Sequence, residues 1–186
     1  MRIFCLGSNK TGTTSLERAL IQLGFRLIPY DKSYGLYFGG GLKHSRENIL
    51  RLFNIFEQRK YDYDLYSDIP YNLAGSHEIL YELFPESYFI LTIRNPESWF
   101  YSVLNWIQKR KCQTMYNLIW KIEFITSNKI EIINRYNNRN NEIIQFFNNN
   151  SKFLVINIEE KTNYSKLCQF LDKEIIDKPF PHENKS

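Results

Sequence analysis

Residues 2–23 read RIFCLGSNKTGTTSLERALIQL, which is an apolar run, a polar loop with two glycines, and a helix-like pattern. The run from Arg2 to Leu6 predicts a short strand, and the apolar spacing from Thr13 to Leu23 predicts a helix. A strand, a tight loop and a helix in this order are typical of α/β folds. We therefore expect the loop to lie at the C-terminal end of a strand, where such folds bind ligands.

The loop has the chemistry of an anion-binding site. Its glycines let the backbone curl so that several N–H groups point inward, and the start of the following helix adds positive potential. Lysine contributes a full positive charge, and the hydroxyl groups that follow contribute further donors. The candidate contacts are Ser8, Asn9, Lys10, Thr11, Gly12, Thr13, Thr14 and Ser15.

This loop differs from the Walker A sequence of ATP- and GTP-binding proteins. A Walker A loop has a lysine directly after its second glycine, whereas here Thr13 follows Gly12 and the lysine lies at position 10. A small P-loop kinase remains an alternative function, although the lysine that such a kinase needs is missing from its usual position. An activity that requires magnesium would favour the kinase.

Residues 9–16, NKTGTTSL, resemble the 5'-phosphosulfate loop of sulfotransferases that use 3'-phosphoadenosine 5'-phosphosulfate (PAPS). The resemblance implies a PAPS donor, adenosine 3',5'-bisphosphate as product, and an acceptor with a hydroxyl or amine group, such as a glycan or a small metabolite. It also implies in-line transfer without a metal, because a sulfuryl group carries less negative charge than a phosphoryl group. Lys10 would stabilise the charge that develops during transfer.

The same resemblance implies a second anion site that holds the 3'-phosphate, made of an arginine at a strand end and a serine eight positions later. Arg94 and Ser102 have this spacing, and Arg94 follows the apolar run Tyr88–Ile93. An arginine at a strand end can form two charge-assisted bonds to a phosphate. Helical spacing predicts that Ser102 lies on the polar stripe of the next helix, opposite the core-facing tryptophans.

Three residues are candidates for the general base that takes the acceptor proton. We rank Asp68 first, because it ends a predicted strand before Pro70, as an aspartate does in the compact branch of the family. His44 ranks second, because it borders a glycine-rich segment, residues 31–43, that could form an acceptor-binding flap. His77 ranks third, because it falls within a predicted helix.

The resemblance covers the start, middle and end of the chain, but residues 31–60 and 108–150 match nothing in the family. We expect those two regions to determine acceptor specificity. The Arg-Lys-Gly motif of the steroid and phenol sulfotransferases is absent, and His182 and Asn184 of the tail are candidates to replace its nucleotide contacts.

Alternating apolar strands and amphipathic helices predict an α/β fold of three layers, with a mainly parallel sheet of about five strands, similar to P-loop NTPases. We expect one domain, residues 1–186. The predicted strands are Arg2–Leu6, Phe25–Tyr30, Tyr63–Ser67, Tyr88–Ile93 and Phe153–Ile158. The predicted helices are 13–23, 46–59, 73–84, 96–111, a long segment over 114–136, an Asn-rich segment over 137–150, and 164–171.

Composition narrows the function further. The net charge of +4 suits an anionic ligand, but the basic residues are scattered, so a nucleic-acid partner is the least favoured class. A non-catalytic nucleotide- or glycan-binding module remains open. The three cysteines have no zinc or disulfide spacing, and neither a leader nor a membrane span is recognisable, so a cytoplasmic protein is expected.

Overall fold

The computed structural model describes residues 1–30, 32, 44–160, 163–175 and 178–181. The predicted flap falls almost wholly on residues 31 and 33–43, and the tail candidates His182 and Asn184 lie beyond residue 181, so these predictions lie outside the described residues.

The described residues form one four-stranded parallel sheet in the order β2-β1-β3-β4. The strands are β1 (Ile3–Cys5), β2 (Leu65–Tyr66), β3 (Tyr88–Ile93) and β4 (Phe153–Asn157). Ile3 pairs with both Leu65 and Tyr88, so β1 is a central strand. The apolar runs of β1 and β3 are buried because helices cover both faces of the sheet.

The predicted fifth strand, Phe25–Tyr30, forms only one isolated parallel bridge, between Leu27 and Leu65 at the β2 edge. Its backbone exchanges hydrogen bonds with Leu65 through Arg26 and Ile28. The chain turns after Pro29, where the N–H of Lys32 donates to the Pro29 carbonyl at 3.1 Å, so the ladder does not continue. The expectation of about five strands is corrected to four strands and this bridge.

Seven α-helices and one 3₁₀ turn, Thr126–Asn128, surround the sheet in the described part of the chain. The helices are α1 (Thr13–Gln22), α2 (Arg46–Gln58), α3 (Ser76–Leu83), α4 (Pro96–Arg110), α5 (Gln113–Trp120), α6 (Lys129–Phe146) and α7 (Asn163–Phe170). The start of α4 follows the sequence prediction, since the Asn95 side chain accepts a hydrogen bond from Ser98 N at 3.1 Å and Pro96 is the first helical residue.

The helices that follow α4 differ most from the prediction. The long segment 114–136 is interrupted at residues 121–128, and α6 continues without a break through the Asn-rich stretch. Lys121 adopts a left-handed conformation, with φ at 52°, and ends α5. The Asn117 side chain then accepts a hydrogen bond from Phe124 N at 2.8 Å, and the Phe124 ring is fully buried. Burial of that ring fixes the break.

Two apolar clusters pack on opposite faces of the sheet and make the three layers. On one face, α2, α3 and α6 cover Phe4 and Phe89. On the other face, α1 and α7 cover Cys5 and Ile90. A third cluster joins α4, α5 and α6 beside the sheet, and its large side chains include Trp99, Phe100, Tyr116, Phe124 and Tyr136.

The strand order creates a crevice between β1 and β3. The chain passes from β1 to β2 on one side, whereas β3 lies on the other side of β1 and leads to β4. In parallel sheets, ligands bind at such a switch point, outside the carboxyl ends of the strands. The loops that follow β1 and β3 carry Lys10 and Arg94, respectively.

Candidate active site

The loop after β1, residues 7–12, turns sharply into α1, and we call it the β1 loop. Lys10 and Gly12 have left-handed backbone angles, with φ at 70° and 88°. A Cβ at position 12 would lie 2.3 Å from Cγ1 of Ile158, so glycine is required there. Gly12 is the N-cap of α1 and provides no side-chain cap. The first N–H groups of α1 therefore remain available to an anion.

Buried hydroxyl groups hold the β1 loop in shape. Thr11 Oγ1 donates to the carbonyl of Ser8 at 2.6 Å and lies 2.7 Å from Thr92 Oγ1. The N–H of Thr11 also donates to Ser8 O, at 3.2 Å. Thr11, predicted to contact the ligand, therefore supports the loop from inside, while Thr13 and Thr14 remain partly exposed at the start of α1 and Ser15 is buried.

The β1 loop is also tied to two other elements. Asn9 Nδ2 donates to Asp68 Oδ1 at 2.8 Å, and Asn72 Nδ2 donates to the Gly7 carbonyl at 3.3 Å. From α4, Trp99 Nε1 donates to the Asn9 carbonyl at 3.1 Å. These bonds link the loop to the segment after β2 and to α4.

Positive charge gathers around Lys10. Its Nζ lies 4.7 Å from the centroid of the Trp106 ring, which also carries the Arg110 guanidinium at 4.7 Å. Burial lowers the pKa of Lys10, and the charges of Arg94 and Lys109 lower it further. Among the described residues no carboxylate forms a salt bridge with Lys10, so the cluster suits an anionic ligand.

Arg94 lies at the C-terminal end of β3, as predicted, and is partly buried. Its Nε is 3.7 Å from Glu159 Oε1, and its backbone N–H donates to Tyr136 Oη at 3.0 Å. Lys10 and Arg94 follow neighbouring strands, and the charge of Arg94 lowers the pKa of Lys10, so the two predicted anion holders lie near each other at this edge of the sheet.

Ser102 differs from its predicted environment. It is 6% exposed and packs on the buried side of α4 with Trp99 and Val103, not on a polar stripe. The third apolar cluster covers more of α4 than one stripe, because α5 and α6 pack beside it. Within the described residues, nothing forms a hydrogen bond with Ser102 Oγ, so this hydroxyl is free for a ligand.

Asp68 is well placed among the three candidate bases. Its Oδ1 accepts hydrogen bonds from Asn9 Nδ2 and, at 2.9 Å, from the N–H of Ile69, whereas Oδ2 accepts none from the described residues. The pKa of Tyr116 is raised by burial first, then by Cys112 and by the charge of Asp68. Asn72 Nδ2 also lies 3.4 Å from Oδ1, so the Asp68 carboxylate adjoins both the β1 loop and the segment after β2.

The two histidines have other environments. His44 Nε2 lies 3.1 Å from Ser76 Oγ at the start of α3, and burial lowers the pKa of His44. His77 is 3% exposed, and its ring lies 5.0 Å from the Phe146 ring. Burial lowers the pKa of His77 as well. Neither histidine lines the pocket that adjoins the β1 loop.

That pocket, which we call the α5–α6 pocket, has a volume of about 270 Å³. Ser8 and Asn9 of the β1 loop form one side. Its other lining residues come from residues 72–74 and from α5, α6 and the residue that ends α5: Asn72, Leu73, Ala74, Tyr116, Ile119, Trp120, Lys121, Arg135, Asn138, Arg139 and Glu142. The segment 108–150, which we expect to determine acceptor specificity, thus supplies most of the wall.

The sequence profile described as "Sulfotransferase domain" matches residues 2–131 and 110–186, nearly the whole length of this sequence. The chain belongs to the sulfotransferase family. A protein of Aspergillus versicolor, "Ava biosynthesis cluster protein M", is 30% identical to this sulfotransferase over 112 residues, which are 56% of this chain and 42% of that protein. The chain thus spans about two fifths of the length of this curated relative.

Two solved structures share the fold of this sulfotransferase. A sulfotransferase from Alicyclobacillus acidocaldarius has a TM-score of 0.63 and 16% identity, covering 100% of this chain and 85% of that one. The sulfotransferase domain from the curacin biosynthetic pathway has a TM-score of 0.57 and 15% identity, covering 95% and 75%. At these identities the likeness establishes the α/β fold alone.

Four residues of the candidate site were not predicted from the sequence: Asn72, Trp99 as a loop contact, Lys109 and Arg139. Arg139 had a detectable signal. It lies three positions after Tyr136 and four before Ile143, both buried on α6, so it interrupts a core-facing stripe with a charge.

Two features of the structure concern the predictions of no metal and no membrane span. In the parts of the chain that are described, no helix is both long enough and apolar enough to cross a membrane. His77, Glu78 and Glu142 bring potential metal-ligand atoms within 4.8 Å of one another, but both glutamates are exposed and the cleft they line is separate from the β1 loop. The absence of a metal in transfer stays a prediction.

Proposed function

We propose that this sulfotransferase transfers a sulfuryl group from PAPS to a hydroxyl or amine group of its acceptor, without a metal ion. One observation carries the proposal. Lys10 and Arg94 lie on the loops that follow β1 and β3, which are neighbouring parallel strands, and the charge of Arg94 lowers the pKa of Lys10. Two cations held together in this way are stabilised by an anion that contacts both.

The side chains at this sheet edge fit a nucleotide with anionic groups at both ends. Lys10 and the uncapped N–H groups of α1 suit a 5'-phosphosulfate. Arg94 and the free hydroxyl of Ser102 suit a 3'-phosphate. Lys109 adds positive charge near Lys10.

In this proposal the donor supplies the sulfuryl group and leaves as adenosine 3',5'-bisphosphate. The acceptor oxygen or nitrogen forms the new bond to sulfur while the bond from sulfur to the phosphate oxygen breaks, and that oxygen keeps the electron pair. Lys10 stabilises the negative charge that develops on it. The β1 loop fixes Lys10 through its left-handed backbone, so little reorganisation is needed during transfer.

Asp68 is the proposed general base. Asn9 and the N–H of Ile69 hold Oδ1, which leaves Oδ2 to take the proton of the acceptor. The bond between Asn9 and Asp68 also couples the base to the loop that holds the donor. His44 is the second candidate, since its imidazole lies close to the same segment through Ser76.

Calorimetric titration with three nucleotides tests the donor assignment. We expect adenosine 3',5'-bisphosphate to bind at least about tenfold more tightly than AMP or ATP with magnesium, because one charge-assisted hydrogen bond is worth about 1.5–3 kcal/mol. Equal affinity for AMP would remove the 3'-phosphate site, and a preference for ATP with magnesium would favour a kinase.

Two variants sharpen this test. Arg94→Ala should bring the affinity for adenosine 3',5'-bisphosphate down to that for AMP. Glu159→Gln serves as the matched control, because it removes the salt-bridge partner of Arg94 and leaves the guanidinium in place. We expect it to preserve or raise the affinity. If Arg94→Ala keeps the preference, Arg94 does not bind the 3'-phosphate.

We also propose the cytoplasm as the site of action. Cys5, Cys112 and Cys168 are all free, and Cys5 and Cys168 are buried. Free buried thiols are consistent with a reducing compartment.

A further inference from the structure

The α5–α6 pocket is next to the position proposed for the sulfuryl group. Ser8 and Asn9 belong both to the β1 loop and to the wall of the pocket. On the proposed function, an acceptor has to approach the β1 loop, and this pocket gives it a space of about 270 Å³. The rings of Tyr116 and Trp120 supply an aromatic wall, which suits a flat apolar body.

Arg139 brings a partly buried positive charge to the same pocket. Its Nη2 donates to the carbonyls of Leu6 at 2.7 Å and Asn72 at 2.8 Å. Its Nη1 is buried and has no hydrogen-bond partner. Burial lowers the pKa of Arg139 to about 10, so the guanidinium remains charged at neutral pH.

No carboxylate of the described residues forms a salt bridge with this guanidinium. The charge of Glu142, one turn further along α6, raises the pKa of Arg139. Burial lowers that pKa by more, so the net shift is downward. A buried charge without a counterion is strongly unfavourable, and a buried N–H donor without an acceptor adds to the cost. An arginine in this position therefore needs a compensating anion.

The other charged groups of the pocket leave an excess of positive charge. Arg135 is neutralised by Glu131 at 2.8 Å and also donates to the Trp120 carbonyl. Lys121 is exposed at the rim and has no salt-bridge partner among the described side chains. Only Glu142 opposes Arg139 and Lys121.

We propose that the acceptor is a small organic acid, in which an apolar or aromatic body carries the group to be sulfated and a carboxylate lies next to Arg139. This inference rests on the proposed function and adds the acceptor class. Arg139 is the specificity-determining residue, the aromatic wall holds the body, and the reacting group points toward Asn9 and Asp68.

Binding of a matched pair of probes tests the inference without requiring turnover. The probes are 3-(4-hydroxyphenyl)propionate and its uncharged amide, which have nearly the same shape. Calorimetry on the protein saturated with adenosine 3',5'-bisphosphate, and on the protein alone, should show at least about tenfold tighter binding of the acid, as expected for one charge-assisted hydrogen bond.

Variants assign the preference to Arg139. Arg139→Met should remove the preference for the acid, Arg139→Lys should retain part of it, and Lys121→Met, at the exposed rim, should change it by less than about threefold. Circular dichroism and nucleotide titration establish that each variant is folded. If Arg139→Met does not fold, the comparison of wild type with Arg139→Lys still tests the assignment.

Three binding results would overturn the inference: equal affinity for acid and amide, no saturable binding of the acid, or a preference for the acid that survives in Arg139→Met. An equal loss of turnover with both probes would instead place Arg139 at the sulfuryl group, and would also overturn it. Failure of the proposed function is separable, because it appears as loss of the preference for adenosine 3',5'-bisphosphate while the preference for the acid remains.

Discussion

The β1 loop and the α5–α6 pocket share Ser8 and Asn9, yet they are built in different ways. Consecutive residues form the loop, and its shape depends on backbone angles and on Thr11, Gly12 and their immediate contacts. The wall of the pocket comes from residues 72–74 and from α5 and α6. The residues that these two helices contribute lie more than forty positions after residues 72–74 in the chain. A motif search can find the first kind of site but not the second.

The difference also concerns charge. Around the β1 loop, motif spacing predicted the cations Lys10 and Arg94, but it did not predict Lys109. In the pocket, Arg139 has no motif and is recognised by its burial and its unpaired Nη1. We therefore expect substitutions in the loop to affect donor binding and substitutions in the pocket to affect the acceptor.

The largest expected effect on turnover comes from Asp68, which accepts a hydrogen bond from Asn9, a residue that the two regions share. Asp68→Asn should reduce turnover by ~10²–10⁴, because the general base is lost. Binding of adenosine 3',5'-bisphosphate should survive, since the amide oxygen can still accept the bond from Asn9. Release of this nucleotide from PAPS with 2-naphthol as acceptor measures turnover, and calorimetry measures binding.

His44→Gln is the matched control for this prediction. Its turnover should stay within about threefold of wild type if Asp68 is the base. Unchanged turnover in Asp68→Asn, together with a large loss in His44→Gln, would transfer the role of base to His44.

A smaller effect separates loop geometry from overall stability. Gly12→Ala would place Cβ 2.3 Å from Ile158 Cγ1 at a φ of 88°. Because such strain amounts to about 1–3 kcal/mol and displaces the loop, affinity for adenosine 3',5'-bisphosphate should fall by about 10- to 100-fold. Acceptor probes that bind only the pocket should be affected less.

Gly24→Ala provides the control, because Gly24 has a similar φ of 92° but nothing lies within 4 Å of its added Cβ. It should lower the free energy of unfolding by about 1 kcal/mol without changing nucleotide affinity. Equal loss of affinity in both variants would show that strain alone, not the fit of the β1 loop, controls binding.

The smallest expected effect is a pH dependence of protein stability that originates at His77, on α3. Burial lowers the pKa of His77, and Glu78 and Glu142 only partly oppose this effect. The unfolded chain, with an ordinary histidine pKa of about 6.5, therefore binds the proton first. The contribution of His77 to the free energy of unfolding is fully present above about pH 6.5. It decreases as the pH falls through that value toward the folded-state pKa.

Urea denaturation at pH 7.5, 6.5 and 5.5 measures this dependence. His77 should contribute a slope of less than about 1.4 kcal/mol per pH unit. His77→Leu should show a reduced slope, because the leucine occupies the same contact with Phe146 without titrating. An identical slope in the variant would assign the pH dependence to other groups.

The accuracy of the sequence predictions follows the range of the interactions involved. Strand β3 has the predicted bounds, and Asn95 caps α4 as predicted, because both depend on neighbouring residues. The predicted strand at 25–30 reduces to one bridge, because the chain turns after Pro29 and the pairing depends on β2, a strand of two residues. The break at 121–128 depends on burial of Phe124 beneath distant helices.

The candidate site shows the same division. The spacing of Arg94 and Ser102 was readable, but the burial of Ser102 was not, since it depends on α5 and α6 packing over α4. Thr11 was predicted to touch the ligand, but its hydroxyl is used by Ser8 and Thr92. Thr92 lies on β3, so this contact required the pairing of β1 with β3.

By itself, the sequence determined the α/β class, the glycine-containing loop after β1 and the arginine after β3, because glycines, caps and apolar runs act over a few residues. Only the tertiary structure decided that Lys10 and Arg94 lie on neighbouring strand ends, that Asp68 adjoins the β1 loop, and that Arg139 lines a pocket with Ser8 and Asn9. Strand order and helix packing bring these groups together, and neither is encoded in any single stretch of residues.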